Sequence, residues 1–316
     1  MAYNFYAVPP TYDRMVEQLH TLQKRFPFLR LFHIGKSVLG RKIYAVGIGN
    51  LRHVNLFAGA FHAQEWLTCS LLIRFLEDLC KSVEESSSKQ PMSLHETLLE
   101  KGFLIVPMVN PDGVEIALRG PKSAGRYADF VACLQEKSTQ SWQANARGID
   151  LNHNFDAGFA QCKEAERQAG ITGPSPRQYG GERPHSEPET RALVQLCIGF
   201  DVRVAFAFHS QGEEIFYEYG ENTPPVSYHI ASLLSAYSGY RLVHQEGLAS
   251  HGGFKDWFID RLGRPAFTFE IGKGINPLPV EQLTKIYQQL HGTLSIASLL
   301  YSKLEEYGLK YKFKQS

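Results

Sequence analysis

The sequence has no excess of charge of either sign and no long apolar run. Its 316 residues carry 33 lysines and arginines against 32 aspartates and glutamates, which gives a formal net charge of +1. Such a chain has no global field to draw it to nucleic acid or to an anionic membrane. No apolar run approaches the roughly 18 residues that suggest a membrane span, and the opening stretch MAYNFYAVPPTYDRM lacks the pattern of a signal peptide. We therefore expect a cytoplasmic protein, with neither nucleic acid nor a membrane as its partner.

Cysteine is also scarce. The chain has five cysteines, an odd number, and no CxxC pair. This pattern is not that of a disulfide framework or of a cysteine-based metal site. Three of the five lie inside apolar helical patterns, where a thiol behaves as a small buried apolar group. We predict buried thiols, rather than disulfides or metal ligands, at Cys69, Cys80, Cys133, Cys162 and Cys197.

Apolar runs of strand length alternate with segments of helical spacing along the whole chain. The runs typical of buried strands are VNLFAGAF (54–61), FLIVPMVN (103–110), VRVAFAFHS (202–210) and PAFTFEIG (265–272). Helical spacing is present over 11–26, 66–79, 186–200 and 280–304. Strands that alternate with helices predict an α/β fold, with a central mixed, mostly parallel sheet and helices on both faces.

The length of the chain and the lack of internal repeats favour one domain. We predict a single domain over residues 1–316, with a helical lead-in over 1–28 and the core over 29–316. Three polar or aperiodic segments are predicted to be loops, and long loops in a compact domain commonly carry function. These segments are 82–93, 119–147 and 161–183.

His62 and Glu65 stand at the junction between the apolar run VNLFAGAF (54–61) and the helical segment 66–79. At this spacing near a helix start, their side chains can face the same point in space. That point lies at the sheet edge where open α/β proteins bind their ligands. The spacing alone carries little weight, because His153 and Asp156 repeat it. As an alternative, Glu65 favours the helix N-terminus electrostatically and His62 caps the helix.

Two further side chains follow apolar runs of strand type. His209 comes after VAFAF, and Glu270 lies in FTFEIGKG. A catalytic zinc ion takes three protein ligands of N or O type and keeps one open position, and His62, Glu65 and His209 supply such a set. A carboxylate on an apolar strand is partly desolvated, which raises its pKa and suits Glu270 to proton transfer. The alternatives are a structural histidine with a hydrogen bond and a glutamate in solvent on an edge strand.

Six motifs, in this order, resemble those of the zinc metallocarboxypeptidase family. They are GAFHAQEW, NPDG, RGIDLNHNFDAGF, HSQGE, SHGGFKDW and FTFEIGKG, and the similarity extends over about residues 44–301. The resemblance implies one zinc ion per chain, held by His62, Glu65 and His209, with Glu270 as the catalytic base. It also implies a single domain with a central mixed sheet of about eight strands between helices.

Departures from the family pattern bear on the substrate. Exopeptidase members have Asn-Arg-Asn where this chain has Asn152-His153-Asn154, and a histidine cannot form the bidentate fork with which arginine grips a terminal carboxylate. Lys255 occupies the specificity position and would attract a carboxylate beyond the scissile bond, unless it is a solvated helix residue. Where the family has a tyrosine that folds over bound substrate, this chain has Leu248.

The arginine that the family uses on the developing oxyanion follows a tryptophan. In this chain Trp142 is followed by Gln143, so the cation has to come from elsewhere. We predict that Arg147, the nearest candidate, stabilises the oxyanion. Alternatively, Arg147 only pins the loop.

The stretches WQANARGIDLNHNF and HSQGEEIF are most similar to the bacterial branch that hydrolyses the γ-D-glutamyl bond to meso-diaminopimelate in peptidoglycan peptides. The predicted function is therefore a zinc metallopeptidase with a peptide, a soluble muropeptide, as its partner. Asn152, His153 and Lys255 are predicted to orient polar groups on the leaving side. Two alternatives stay open: a carboxypeptidase that removes an acidic C-terminal residue, and a catalytically silent module that keeps zinc for structure.

Overall fold

An eight-stranded mixed sheet forms the centre of the computed structural model, which describes residues 4–86, 102–243 and 251–306. In chain order the strands are β1 Arg30–Lys36, β2 Lys42–Ile48, β3 Val54–Gly59, β4 Gly102–Val106, β5 Val202–His209, β6 Glu214–Phe216, β7 Arg241–Leu242 and β8 Ala266–Glu270. Across the sheet they follow the order β1-β2-β4-β3-β5-β8-β6-β7. The prediction of a central mixed sheet of about eight strands is confirmed.

The four strands β4, β3, β5 and β8 form the parallel centre of the sheet. β3 is buried along its whole length, as expected of a strand that is covered on both faces. Phe57 packs in one apolar core with Phe103 and Phe206, while its neighbours Leu56 and Ala58 pack in the core on the other face. Because these strands are parallel, their carboxyl ends meet at one edge of the sheet.

Helices cover both faces. They are α1 Tyr12–Arg25, α2 Leu67–Ser86, α3 Pro111–Arg119, α4 Ala128–Glu136, α5 Phe159–Gln168, α6 Pro188–Gly199, α7 Val226–Ser238, α8 Phe254–Leu262 and α9 Leu283–Glu306. Leu19 of α1 and Leu72 of α2 belong to one core, whereas Leu193 of α6 and Phe258 of α8 belong to the other. The helices on both faces therefore shield the central strands from water.

Two of the segments predicted as loops contain helices, so these predictions were wrong. α4 lies inside 119–147, and α5 extends into 161–183. The apolar face of each helix is narrow, because α4 buries Val131 and the buried apolar residue of α5 is Cys162. Helices with so little periodic apolar pattern depend on tertiary contacts for their stability, and a sequence pattern does not detect them.

Two other predictions reach the limits of the described residues. The remaining predicted loop, 82–93, begins as helix, since α2 continues to Ser86. Its residues 87–93 lie outside the described ranges. Leu248 also lies outside them. No helix within the described ranges is long and apolar enough to cross a membrane.

The thiols are free, as predicted. Cys69, Cys80, Cys162 and Cys197 are buried, and Cys133 is exposed. The prediction of burial was therefore wrong for Cys133, which lies on α4, the helix with the narrow apolar face.

Candidate metal centre and catalytic cleft

The segment after β3 carries His62 and Glu65 to the carboxyl edge of the sheet. The backbone turns at Ala60, whose φ of 50° is left-handed, and a short 3-10 helix follows over Ala63–Glu65. The Thr68 hydroxyl accepts the Ala60 amide at 2.8 Å and donates to the Glu65 carbonyl at 2.7 Å. These two hydrogen bonds tie the turn to the start of α2 and so hold the segment that carries both candidate ligands.

The structure brings His62 and Glu65 to His209, the last residue of β5. Nδ1 of His62 lies 3.0 Å from Oε1 of Glu65, and Nδ1 of His209 lies 3.1 Å from its Oε2. The possible ligand atoms of the three side chains all lie within 4.8 Å of one another. His62 stands at the N-cap position, but its side chain makes no capping hydrogen bond. The alternative of a capping histidine is therefore wrong.

This set of side chains suits zinc in number, chemistry and spacing. Ligand atoms about 2.0–2.2 Å from a tetrahedral zinc ion lie roughly 3.3 Å apart, close to the separations between the carboxylate and the two imidazoles. Two histidines and a glutamate leave a fourth position open, as catalytic zinc sites do. Glu65 is 3% exposed and His209 1% exposed, and buried polar groups of this kind are commonly paired or bound to a metal.

Asp150 holds the His62 ring from its other side. Its Oδ1 lies 3.1 Å from Nε2 of His62, and a carboxylate on this nitrogen leaves Nδ1 to face a metal. Burial disfavours the charged imidazole, but Asp150 and Glu65 outweigh burial and raise the pKa of His62 well above its ordinary value. Because a metal binds the neutral imidazole, metal binding would release the proton that His62 holds.

The pKa values of the other two candidate ligands, Glu65 and His209, are shifted as well. Burial alone would raise the pKa of Glu65, but His62 and His209 outweigh it and lower this pKa to about 2. Burial lowers the pKa of His209. Glu65 is therefore held as a carboxylate and His209 is favoured as a neutral imidazole, the protonation states in which these groups bind a metal.

Glu270 is the last residue of β8 and the register partner of His209 on β5. Burial, with the charge of Glu65 as the next cause, raises the pKa of Glu270 well above its ordinary value. A raised pKa makes this carboxylate a better proton acceptor than an ordinary glutamate, which suits a general base. The alternative of a glutamate on an edge strand is wrong, because β8 lies between β5 and β6.

A cleft of about 740 Å³ lies over the site. His62, Glu65 and Glu270 line it together with Gln143 and Arg177. A cleft of this size accommodates a small ligand. Two of the candidate metal ligands, His62 and Glu65, and the candidate base are therefore open to the same bound molecule.

Asn152 and His153 belong to a 3-10 helix over Leu151–His153. The side-chain oxygen of Asn152 accepts the Phe254 amide, at the start of α8, at 3.0 Å. Nδ1 of His153 donates to the Gln178 carbonyl at 3.0 Å. These bonds anchor both side chains beside α8 and the segment before α6.

Lys255 is buried in α8, with 3% of its surface exposed. Its ammonium group donates to the Glu218 carbonyl at 2.7 Å, forms an ion pair with Asp256 and lies 5.7 Å from the centre of the Tyr219 ring. The alternative of a solvated helix residue is therefore wrong. Lys255 is not among the described residues that line the 740 Å³ cleft, so its contact with substrate stays a prediction.

Arg147 is not brought to the cleft. Its Nε donates to Oε2 of Glu187 at 3.0 Å, and it lines a separate cavity with Tyr127, Phe130 and Tyr179. This geometry favours the alternative in which Arg147 pins its loop, since a paired guanidinium in another cavity does not face the candidate metal ligands.

Two polar groups of the site were missed by sequence reasoning. Asp150 lies in the motif RGIDLNHNF, so an acid next to the predicted Asn152 and His153 was a signal for it. Arg177 lies in an aperiodic segment and had no such signal. Its Nε donates to the Gln143 side-chain oxygen at 2.8 Å.

Comparison with known proteins finds relatives over most of the chain. The profile of the zinc carboxypeptidase family, peptidase M14, matches residues 15–291. A γ-D-glutamyl-L-diamino acid endopeptidase of Lysinibacillus sphaericus is 34% identical over 283 residues, which cover 89% of this chain and 70% of that protein. The catalytic chain of human carboxypeptidase N is 25% identical over 67% of this chain and 44% of its own length.

Solved structures share the fold. Carboxypeptidase A of Helicoverpa armigera superimposes with a TM-score of 0.71 at 18% identity, over 96% of this chain and 78% of that one. The murein-tripeptide amidase of Escherichia coli O157 superimposes with a TM-score of 0.52 at 21% identity, over 84% of this chain and 91% of that one. With the family profile matched over most of its length, the chain belongs to the zinc carboxypeptidase family and is a zinc metallopeptidase.

Proposed function

We propose that this metallopeptidase hydrolyses the amide bond between the γ-carboxyl group of D-glutamate and meso-diaminopimelate in peptidoglycan-derived peptides. The observation that carries the proposal is His153, which stands where an exopeptidase arginine would grip a free C-terminal carboxylate and donates to the backbone of Gln178. An imidazole held in this way offers no bidentate fork. The relative with 34% identity, a γ-D-glutamyl-L-diamino acid endopeptidase, supports the same substrate class.

In the proposed mechanism His62, Glu65 and His209 hold one zinc ion per chain, and Asp150 orients the His62 ring. Zinc bound there would acidify a water molecule and polarise the scissile carbonyl. Glu270 takes the proton of the attacking water and delivers it to the nitrogen of the leaving amine. Its place beside His209 in the sheet register supports this role.

Asn152, His153 and Lys255 are proposed to orient the diamino acid on the leaving side. Diaminopimelate carries a carboxylate and an amine on its side chain. Lys255 and Asp256 place opposite charges next to each other in α8, which suits a group of this kind. The same lysine also favours a second candidate function, removal of an acidic C-terminal residue, because a buried cation attracts a carboxylate.

Mass-spectrometric product analysis tests the proposal. The zinc-loaded protein is incubated with L-Ala-γ-D-Glu-meso-diaminopimelate, with an α-linked peptide that ends in glutamate, and with the same α-peptide carrying a C-terminal amide. Release of diaminopimelate that EDTA abolishes, with both α-peptides intact, is the expected result. Loss of the terminal glutamate from the free α-peptide but not from its amide would assign the carboxypeptidase function instead.

The cytoplasmic location predicted above stays a prediction. Fractionation of cells that produce the protein, with detection by antibody, tests it.

A further inference from the structure

We propose that Arg177 is the cation that stabilises the oxyanion during amide hydrolysis in this cleft. The inference rests on hydrolysis at the proposed site, but it does not depend on which peptide is the substrate. As the oxygen of water bonds to the scissile carbonyl carbon, the π electron pair of the C=O bond moves to the carbonyl oxygen. A cation held at that oxygen stabilises the charge until the C–N bond breaks and the amine leaves with the proton delivered by Glu270.

The charges that line the cleft single out Arg177. Among the described residues that line it, Arg177 is the only lysine or arginine, whereas Glu65, Glu214 and Glu270 are acidic. The hydrogen bond of its Nε goes to the neutral side chain of Gln143 at 2.8 Å. Within the described ranges no carboxylate forms an ion pair with its guanidinium group, in contrast to Arg147.

The residue before Arg177 anchors it to one wall of the cleft. The Pro176 carbonyl accepts the backbone amides of Gln143 and Ala144 at 2.8 and 3.0 Å. The Gln143 carbonyl in turn accepts the amide of Ala63, the residue after the candidate ligand His62, at 3.0 Å. Arg177 is therefore held beside the segment that presents the metal ligands.

The residue after Arg177 is anchored to the same site from another direction. The Gln178 amide donates to Oδ2 of Asp150 at 3.0 Å, and Oδ1 of that carboxylate lies 3.1 Å from Nε2 of His62. The Gln178 carbonyl accepts Nδ1 of His153 at 3.0 Å. Both neighbours therefore anchor the backbone of Arg177, and the hydrogen bond of its Nε to Gln143 orients the guanidinium group toward the preorganisation that electrostatic stabilisation of a transition state uses.

The donors of Arg177 fit this role. A guanidinium group has five N–H donors, and Gln143 takes the one on Nε, which leaves those on the two terminal nitrogens for a substrate oxygen. We expect Gln143 to act as a positioning residue for Arg177. Its acceptor orients the guanidinium group without neutralising its charge, which a glutamate at this position would do.

Steady-state kinetics of Arg177→Gln and Arg177→Lys test the proposal, with whichever amide the wild-type protein cleaves as substrate. The matched control is Arg183→Gln, because Arg183 lies on the same segment, is exposed and lines the separate cavity. We expect Arg177→Gln to lower kcat by about 10²–10³-fold, with KM changed less than about threefold and zinc content unchanged. The lysine variant should fall between it and the wild type, and the control should match the wild type.

Two measurements that do not depend on turnover complete the test. Calorimetric binding of a phosphinic peptide, whose anionic tetrahedral phosphorus resembles the oxyanion, should weaken in Arg177→Gln by the factor lost in kcat. The thermal unfolding midpoint should stay the same. An unchanged kcat and unchanged phosphinate binding would overturn the proposal.

Recognition of a substrate carboxylate is the main competing role for Arg177. The D-glutamyl residue has a free α-carboxylate, and an arginine that bound it would change KM rather than kcat. A loss in KM alone, absent when that carboxylate is replaced by an amide, would overturn the oxyanion role. Because the kinetics use any amide that is cleaved, failure of the γ-D-glutamyl substrate would be seen separately.

Discussion

At the scale of single residues, Glu270 allows proton transfer to be tested separately from metal binding. Its carboxyl group ends β8 beside His209 and lines the cleft. The group of side chains whose ligand atoms lie within 4.8 Å of one another includes His62, Glu65 and His209 but not Glu270. A change at Glu270 should therefore alter the chemistry and leave the metal in place.

We expect Glu270→Gln to lower kcat by about 10²–10⁴-fold, because the amide keeps the size of the side chain but cannot carry the proton. Zinc content, measured by inductively coupled plasma mass spectrometry, should equal that of the wild type. Glu214→Gln is the matched control, since Glu214 lines the same cleft and is the register partner of Glu270 on β6. Retained turnover in Glu270→Gln would remove the assignment of the base.

At the scale of elements, the start of α6 gathers buried carboxyl groups. Glu187 is its N-cap residue and Glu189 lies in its first turn. The Val38 amide donates to Oε1 of Glu189 at 3.0 Å. Burial, followed by the charge of Asp112, raises the pKa of Glu189 to about 8. This helix start therefore holds a proton that an exposed glutamate would have lost.

This proton makes the stability of the fold depend on pH. Between the ordinary pKa of 4.5 and about 8, folded Glu189 is protonated and unfolded Glu189 is not, so the folded state binds one more proton. Its contribution to the free energy of unfolding then falls as pH rises, by about 1.4 kcal/mol per pH unit, and levels off above pH 8. Glu189→Gln removes this dependence.

Urea unfolding of Glu189→Gln and the wild type at pH 5 to 9 measures the effect. The free energy of unfolding of the variant minus that of the wild type should increase up to about pH 8 and then stay constant. Glu182→Gln serves as the control, because Glu182 is exposed on the segment before the same helix. A difference that does not change with pH would contradict the expected protonation.

At the scale of the whole molecule, the candidate metal site joins segments that are distant in the chain. His62 and Glu65 follow β3, while His209 ends β5. A metal that binds the folded state alone stabilises it by mass action, by about 4 kcal/mol when its free concentration is 1,000 times Kd. The site should therefore act as a cross-link between β3 and β5.

Removal of zinc with EDTA is expected to lower the thermal unfolding midpoint by several degrees, because a kcal/mol shifts Tm by about 2–4 °C in domains approaching this size. Return of zinc should restore the midpoint, as measured by differential scanning calorimetry. In His209→Ala, which lacks one candidate ligand, the zinc-dependent shift should be absent or much smaller. An equal shift in that variant would place the stabilising metal elsewhere.

Local patterns made part of this protein predictable. The apolar runs around Phe57, Phe206 and Phe269 predict buried strands because a strand covered on both faces has no polar side. Since parallel strands end at one edge of the sheet, the same runs place His209 and Glu270 together there. The helices α4 and α5 escaped prediction because their sequences carry little apolar periodicity.

The sequence by itself therefore determined the fold class and the side chains that were candidates for the metal and the base. Only the tertiary structure showed that Arg177 lines the cleft. Only it showed that Lys255 is buried against Asp256. Arg147 was nearest in sequence, yet it is paired with Glu187, while Arg177 reaches the cleft from a segment without periodicity. The physical reason is that burial patterns are local in the chain, whereas loops are positioned by hydrogen bonds to residues far away in sequence.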